Sequence, residues 1–214
     1  MTPSRSFDQG LLLALALALG CWLTLASSAP PQPPTAQGSA RWDDRFFLTG
    51  LDGPVYALLA MPNGDVYVGG AFTWAGPVQS PGVARWDGYS WRAVGSGIGG
   101  EVRALAASAT GEIYAGGSFS SAGGYLAANI ARFNGTQWSA MGSGTNARVD
   151  TLAVDPAGGV YVGGAFTSAG GLSAAHVARW SGTSWATLGT GTDGVVRAMI
   201  RTADGRLYVG GAFS

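Results

Sequence analysis

The chain has 214 residues, including 36 glycines and 8 tryptophans; only 11% are charged, the 12 basic residues are all arginine, and the formal net charge is zero. A neutral chain without a basic patch argues against nucleic acid as a partner, and against membranes except through an N-terminal segment. The length allows one modest domain with additional segments.

The N-terminal segment has the plan of a secretory signal peptide. Arg5 precedes an apolar run from Leu11 to Leu25, and small residues follow the run. This order predicts a signal peptide over residues 1–28, because the run is shorter than the about 20 residues that span a bilayer. An uncleaved anchor and a lipoprotein modified at Cys21 are the alternatives.

The residues after the signal predict an exported protein without disulfides. Cys21 is the only cysteine, so cleavage would leave none in the mature chain. Residues 29–39 are rich in proline and predict an extended linker. We therefore expect a secreted or cell-surface protein that its hydrophobic core alone stabilises.

A repeat of 47 residues organises the rest of the chain, residues 40–214. A Tyr-x-Gly-Gly-x-Phe motif begins at Tyr67, Tyr114, Tyr161 and Tyr208, always 47 residues apart. A fixed period indicates one supersecondary unit that is used several times. It divides the region into full repeats 55–101, 102–148 and 149–195, with half repeats 40–54 and 196–214.

Each repeat predicts four short antiparallel strands. In the first repeat, apolar runs at 55–61, 66–72, 83–86 and 91–94 are separated by turn signals such as Asp87-Gly88 and by one ten-residue loop. Four short strands per repeat are typical of a propeller blade, and no segment after the signal has a helical period. The predicted fold class is therefore all-β, a β-propeller of four-stranded blades.

The number of blades stays open at this point. Residues 40–54 correspond to the second half of a repeat, shortened by three residues, and residues 196–214 correspond to the first half of another. The two halves could complete one blade and close a four-bladed ring. Alternatively, the chain is a fragment of a longer propeller, and its exposed apolar blade faces should associate with other chains.

Glycines and tryptophans at fixed positions predict how the blades pack. A glycine pair in the second strand removes two Cβ atoms, which lets a neighbouring blade or an aromatic ring approach, with the tryptophan of the repeat as the expected partner. Since every repeat has its tryptophan at one place, we interpret it as a packing residue rather than a sugar platform. The pairs are Gly69 and Gly70, Gly116 and Gly117, and Gly163 and Gly164; the tryptophans are Trp91, Trp138 and Trp185.

Arginines recur at one strand position of the repeat. They are Arg85, Arg132 and Arg179, in series with Arg41. A ring of arginines near the axis could bind an anion, or each guanidinium could donate hydrogen bonds to carbonyls between blades. We favour the structural interpretation, because a repeated strand residue is first of all a determinant of the repeat.

The repeat resembles a known group of propellers. An apolar strand that ends in Gly-Gly, followed by a spaced aromatic residue and a tryptophan, resembles the kelch-type repeat of galactose-oxidase-like β-propellers. The fuller pattern is similar to repeats of bacterial exported proteins and of the fungal cortical bud-site marker family. The resemblance covers residues 40–214 and implies a propeller with a binding or surface role. Copper-radical oxidase chemistry of the galactose oxidase kind would need a cysteine and several histidines, whereas Cys21 lies in the predicted signal peptide and His176 is the only histidine.

The sequence predicts no cofactor and no metal site. His176 is the only histidine, and one histidine cannot form a histidine metal cluster. We interpret it mainly as a solvated loop residue. A glycosidase needs two carboxylates at one site, and no spacing in this sequence nominates such a pair.

The long loops differ most between repeats, and they predict the binding surface. Strand order places these loops and the inter-blade segments at one end of the blades, with the tight turns at the other. A constant scaffold with varied loops on one face is typical of a binding protein. The candidate ligand-binding residues are Trp74, Tyr125, Leu172 and His176.

We therefore predict an exported β-propeller that binds a protein or polysaccharide partner through its long-loop face. A carbohydrate-directed enzyme is the rival hypothesis, and a fragment of a larger surface repeat protein is the third. Association into oligomers is expected if the ring is open.

Overall fold

A computed structural model describes residues 50–214, and every regular element in this range is a β-strand. The predicted signal peptide, the linker and residues 40–49 of the first half repeat lie outside the described residues. No helix capable of crossing a membrane occurs in the described part of the chain. The predicted all-β fold class is confirmed.

Three repeats each form one sheet of four principal antiparallel strands. The first blade comprises β1 (Val55–Ala60), β2 (Val66–Gly70), β3 (Trp74–Ala75), β4 (Val78–Gln79), β5 (Val83–Trp86) and β6 (Trp91–Ala93). The second comprises β7 (Ile98–Ala107), β8 (Ile113–Ala122), β9 (Tyr125–Leu126), β10 (Ile130–Phe133) and β11 (Trp138–Ala140). The third comprises β12 (Val149–Val154), β13 (Val160–Gly164), β14 (Ser168–Ala169), β15 (Leu172–Ser173), β16 (Val177–Trp180) and β17 (Trp185–Thr187).

The fourth blade is represented by one hairpin among the described residues. It pairs β18 (Val196–Arg201) with β19 (Leu207–Gly211). The sheet orders of the full blades are β1-β2-β5-β6, β7-β8-β10-β11 and β12-β13-β16-β17. The four-stranded blade predicted from the repeat is thus confirmed three times.

The long loop between the second and third principal strands contains a short hairpin of its own. β3 pairs with β4, β14 pairs with β15, and β9 pairs with the end of β8. The sequence indicated only a loop here, because strands of two residues are too short to show an alternating pattern.

The hydrophobic core lies between the faces of adjacent blades. The first strands β1, β7, β12 and β18 lie next to one another in chain order, so they form the inner edge of the arrangement, and β6, β11 and β17 lie outermost. One buried cluster joins Tyr67 and Val83 of the first blade to Val102 and Trp138 of the second. A second cluster joins the second blade to the third in the same way.

The glycine pairs allow a neighbouring blade to approach, but their partner is not the tryptophan that we expected. A Cβ at Gly69 would lie 2.6 Å from Val102 Cγ1, and a Cβ at Gly163 would lie 2.6 Å from Val196 Cγ1. Both valines belong to the first strand of the next blade. The second glycine of each pair faces a backbone carbonyl of its own blade, where the register of the first two strands shifts.

The tryptophans pack on turn glycines of the preceding blade instead. Trp138 is 2% exposed, and its Cδ1 lies 3.1 Å from the position of a Cβ on Gly95. It also contacts Phe133, with ring centroids 5.2 Å apart. Trp185 repeats the arrangement against Gly142 and Trp180. Trp138 and Trp185 therefore each fix the outermost strand of their blade to the blade before it, whereas the half-buried Trp91 packs on Trp86 of its own blade.

The repeated arginines form ion pairs within their own blades. Arg179 lies 2.7 Å from Asp155, and the corresponding pairs are Arg85–Asp65 at 3.3 Å and Arg132–Glu112 at 3.5 Å. The partners are carboxylates near the turn between the first two strands, rather than the inter-blade carbonyls that we expected. The pairs thus lie toward the tight-turn end of each blade.

Candidate functional site

The two ends of the blades differ in character, as the antiparallel strand order requires. Tight turns such as Asn63–Asp65 and Tyr89–Ser90 lie at one end. The loop hairpins and the inter-blade segments lie at the other, which we call the long-loop end. The first strand of every blade begins at this end, so inner-strand residues such as Tyr56 and Arg103 lie there too.

A side-chain oxygen from the preceding inter-blade segment holds the base of the loop hairpin in the first and third blades. Asp52 Oδ1 accepts hydrogen bonds from the backbone N–H groups of Thr73, at 2.7 Å, and Trp74, at 2.8 Å. These bonds lower the pKa of Asp52, since they favour the ionised carboxylate. The same position is Asn146 before the third blade, which accepts from Thr167 and Ser168, and Asp193 before the fourth blade, which accepts from Ser214.

The second blade lacks this side chain and uses backbone pairing. Gly99 occupies the equivalent position, and β7 and β8 continue to pair as far as Ile98 and Ala122. The second loop hairpin is therefore an extension of the sheet itself.

Three of the predicted ligand-binding residues lie exposed on these hairpins. Trp74 is 44% exposed, Tyr125 is 68% exposed and Leu172 is 44% exposed. Each hairpin lies close to the outermost strand of its own blade, at β6, β11 or β17. The three side chains therefore belong to the outer rim of three different blades. Leu126, which is 87% exposed next to Tyr125, belongs to the same rim and was not among the predicted residues.

His176 has a backbone role that the sequence analysis did not assign to it. It has a φ of 64°, and the equivalent residues Asn129 and Gly82 have φ values of 64° and 69°. The position requires the left-handed conformation, which glycine and asparagine adopt most readily. His176 is half-buried rather than solvated, and its Nδ1 makes no hydrogen bond within the described residues.

The inner strands converge on a charged depression at the long-loop end. It has a volume of about 460 Å³ and is lined by Val55, Tyr56, Arg103, Arg148, Asp150 and Arg197. Four of these residues, Tyr56, Arg103, Asp150 and Arg197, occupy one position in four successive repeats. We call this feature the axial depression, because only first strands and the segments before them contribute to it.

Two ion pairs and one aromatic contact organise the axial depression. Arg103 lies 2.7 Å from Glu101, and Arg148 lies 2.6 Å from Asp150. The hydrogen bond to Asp150 raises the pKa of Arg148, so this guanidinium stays charged. The Arg103 guanidinium also lies 5.0 Å from the centroid of the Tyr56 ring.

Arg197 gives the axial depression its excess positive charge. It is exposed, and it has no carboxylate partner among the described residues. The depression, together with Glu101 beside it, thus contains three guanidinium groups and two carboxylates. A guanidinium without a partner, in a depression that an exposed tyrosine also lines, is suited to bind a carboxylate group.

The inter-blade segments that carry Glu101 and Arg148 belong to the end predicted to bind, but the axial depression itself was not predicted. The 47-residue register places Tyr56, Arg103, Asp150 and Arg197 in one column. Inner strands of neighbouring blades lie side by side, so one varied column on these strands forms one surface. A charged column in a chain with few charges was the signal that could have identified the site.

A second depression, of about 530 Å³, lies at the loop hairpin of the second blade. Its lining includes Phe119, Leu126, Asn129 and Asn146. It connects this hairpin with the segment that leads to the third blade. Among residues 50–214, no group of three or more histidine, cysteine, aspartate or glutamate side chains could hold a metal ion.

Comparisons with known families agree with this architecture. The profile of the Rax2 C-terminal beta propeller domain matches residues 125–214, and a beta-propeller domain of unknown function, DUF5122, matches residues 109–136. The chain is a β-propeller repeat protein. The predicted propeller fold is thereby confirmed, with three full blades and the first half of a fourth among the described residues. No curated protein matches the sequence.

Solved structures with a similar arrangement of strands come from larger proteins. The extracellular domain of a hybrid two-component system from B. thetaiotaomicron is 10% identical, with a TM-score of 0.49, over 72% of this chain and 20% of that chain. The extracellular domain of a one-component system from the same organism is 12% identical, with a TM-score of 0.46, over 73% of this chain and 20% of that one. The chain therefore spans about a fifth of the length of these proteins.

Proposed function

We propose that this protein is an exported β-propeller that acts as a binding module, with the axial depression as its ligand site. The observation that carries the proposal is the column Tyr56, Arg103, Asp150 and Arg197, which brings varied, chemically active side chains together at the inner edge of four repeats. By contrast, the repeat positions that maintain the fold, such as the Gly-Gly pair, have nearly the same residue in every blade. A constant scaffold with one varied inner column is the expected arrangement for a binding protein.

The chemistry of the depression favours a carboxylate-bearing polysaccharide as its ligand. Its volume of about 460 Å³ lies in the range of small-ligand sites, which is about 300–1,000 Å³. Arg197 is free to pair with a carboxylate, and Asp150 can accept hydrogen bonds from sugar hydroxyls. The exposed Tyr56 ring offers an apolar face to a sugar ring.

Export is part of the proposal and rests on the N-terminal sequence. The apolar run within residues 1–28 supports secretion or display at the cell surface, where acidic polysaccharides occur. The Gly-Gly motif supports a kelch-type affiliation of the repeat. The neutral net charge supports a partner other than nucleic acid, and contact with a membrane would be through the N-terminal segment alone.

Binding to polygalacturonate, with neutral dextran as the reference polymer, tests the proposal. Arg197→Ala should weaken binding about tenfold or more, since a charge-assisted hydrogen bond contributes about 1.5–3 kcal/mol. The matched control is Arg206→Ala, which removes an exposed arginine near the tight turn at the opposite end. Equal affinity for the two polymers, or equal loss in the two variants, would refute an acidic ligand at the axial depression.

A protein partner on the outer rim is the alternative within the same proposal. The exposed Trp74, Tyr125 and Leu172 side chains would be its contacts. No observation favours a carbohydrate-directed enzyme, because the carboxylates at the axial depression, Glu101 and Asp150, both form ion pairs with arginine.

A further inference from the structure

One apolar contact joins each blade to the next, and it uses the same residue types every time. In each contact, the valine at the start of a blade's first strand and the residue three positions later pack together. They contact the first glycine of the Gly-Gly pair in the preceding blade. Val102 and Leu105 pack on Gly69, Val149 and Leu152 pack on Gly116, and Val196 and Met199 pack on Gly163. We call the two packing side chains the knob and the glycine surface the socket.

The described residues contain one knob and one socket without a partner. The knob of the first blade is Val55 and Leu58, which are 40% and 69% exposed. The socket of the last hairpin is at Gly210, where a Cβ would meet nothing within 4 Å. The equivalent glycines Gly69, Gly116 and Gly163 each face a valine at contact distance.

The surroundings of Gly210 are also exposed. Tyr208 is 53% exposed, whereas its equivalents Tyr67 and Tyr114 are 9% and 3% exposed beneath the following blade. Ile200 is 63% exposed, whereas its equivalent Leu59 packs against the cluster between the first two blades. An apolar face of this kind marks a protein interaction surface.

We propose that the Gly210 socket of one copy of this protein binds the Val55–Leu58 knob of a second copy. We choose a second copy as the occupant of the socket because the contact would continue the blade-to-blade interface. The free knob has the same Val-x-x-Leu residues as the two knobs seated on Gly69 and Gly116, and the free socket has the same glycine as the occupied sockets. The two surfaces lie on different blades, so the contact is head-to-tail and can be repeated.

Two variants separate the halves of this contact. Leu58→Glu places a charge on the knob and leaves the socket intact, and Gly210→Val fills the socket and leaves the knob intact. Both positions are open in the single chain, so both variants should unfold at the same denaturant concentration as the wild type in dilute solution. Tyr89→Glu is the matched control, because Tyr89 is 89% exposed on a tight turn and belongs to neither the knob nor the socket.

Sedimentation velocity of the full chain over a range of concentrations tests the proposal. The wild type and Tyr89→Glu should gain mass as concentration rises, while Leu58→Glu alone and Gly210→Val alone should stay monomeric. An equimolar mixture of these two variants should form a complex of twice the monomer mass and grow no further, since only one knob and one socket remain usable.

Three results would overturn the proposal. A wild-type chain that is monomeric at all concentrations would refute association, and so would variants that associate as the wild type does. A loss of monomer stability in Leu58→Glu would show that the knob is covered within its own chain. These measurements need no polysaccharide, so their outcome is independent of the proposed ligand site.

Discussion

The indole Nε1 of Trp138 donates a hydrogen bond of 2.8 Å to the carbonyl oxygen of Val94, which lies in the preceding blade. Trp185 donates an equivalent bond of 2.8 Å to Met141. The indole therefore satisfies its only polar atom while its ring is buried between two blades. This single side chain couples the outermost strand of one repeat to the end of the previous one.

Replacement of Trp138 by alanine should destabilise the protein by about 3–5 kcal/mol, because it leaves a large cavity and an unpaired carbonyl between blades. Chemical denaturation measures the change. Trp74→Ala is the control, since Trp74 is exposed and its loss should alter stability by no more than about 0.5 kcal/mol. An unchanged denaturation midpoint for Trp138→Ala would show that this ring is not a core residue.

Alanine should be harmful at Gly163 and tolerated at Gly210, although both glycines occupy the same position of the repeat. A methyl group at Gly163 would lie 2.6 Å from Val196 Cγ1, so we expect a loss of about 1–3 kcal/mol from overpacking. Gly210 has open space, and its change should stay within about 0.5 kcal/mol. Thermal unfolding of the two variants at one low concentration compares them, and equal losses would contradict the packing described above.

The ion pair between Arg179 and Asp155 should make stability depend on acidic pH. Burial opposes ionisation of Asp155, but the hydrogen bonds from Arg179 and from the Gly159 N–H outweigh it and lower the pKa of Asp155. A lowered folded-state pKa stabilises the protein above the unfolded-state pKa of about 3.9, and this contribution is lost as pH falls through the folded-state value.

Asp155→Asn removes this titration and retains the side-chain shape. The variant should be less stable than the wild type at pH 7, by about 1.5–3 kcal/mol for a hydrogen bond to a charged group, and the difference should shrink below about pH 4. Urea denaturation from pH 7 to pH 2.5 measures both proteins. A stability difference that stays constant with pH would argue against a contribution from the Asp155 charge.

Binding measurements on the outer rim distinguish the axial depression from the loop hairpins. Trp74→Ala and Tyr125→Ala should leave the fold intact, because both side chains are exposed. If the partner covers the rim, each change should cost about 2 kcal/mol or more of binding free energy at a hot spot. Far-UV circular dichroism is checked first. Binding that survives both changes and is lost in Arg197→Ala would confine the ligand to the axial depression.

The repeat period predicted the blade well, because strand length, turn type and register all follow from local sequence. Asp87-Gly88 predicted a tight turn, and the strands on either side pair there as expected. The partner of the Gly-Gly pair was predicted wrongly in part, since a strand pattern shows that two faces exist but not which neighbour covers each. Geometry between blades decides that Val102, and not Trp91, faces Gly69.

The axial depression could not be recognised from motifs, because its residues are far apart in the chain and differ in type. Arg103 and Arg197 come together only when the inner strands are placed side by side. The left-handed position shared by Gly82, Asn129 and His176 was visible in the sequence, since glycine and asparagine favour that conformation, and it indicates a backbone role for His176.

The hydrogen bonds that hold the loop hairpins have a practical consequence. Asp52 and Asn146 each fix a hairpin through two backbone amides at its base, and Asn146 Nδ2 also donates a hydrogen bond to Thr167 Oγ1. The exposed tip residues Pro77 and Gly171 take no part in these bonds, so foreign peptides could be inserted there. Gly76 and Gly170 must stay, because their N–H groups donate to the carbonyl oxygens of Gly50 and Gly144. Neighbouring blades would then display different peptides side by side at a fixed spacing.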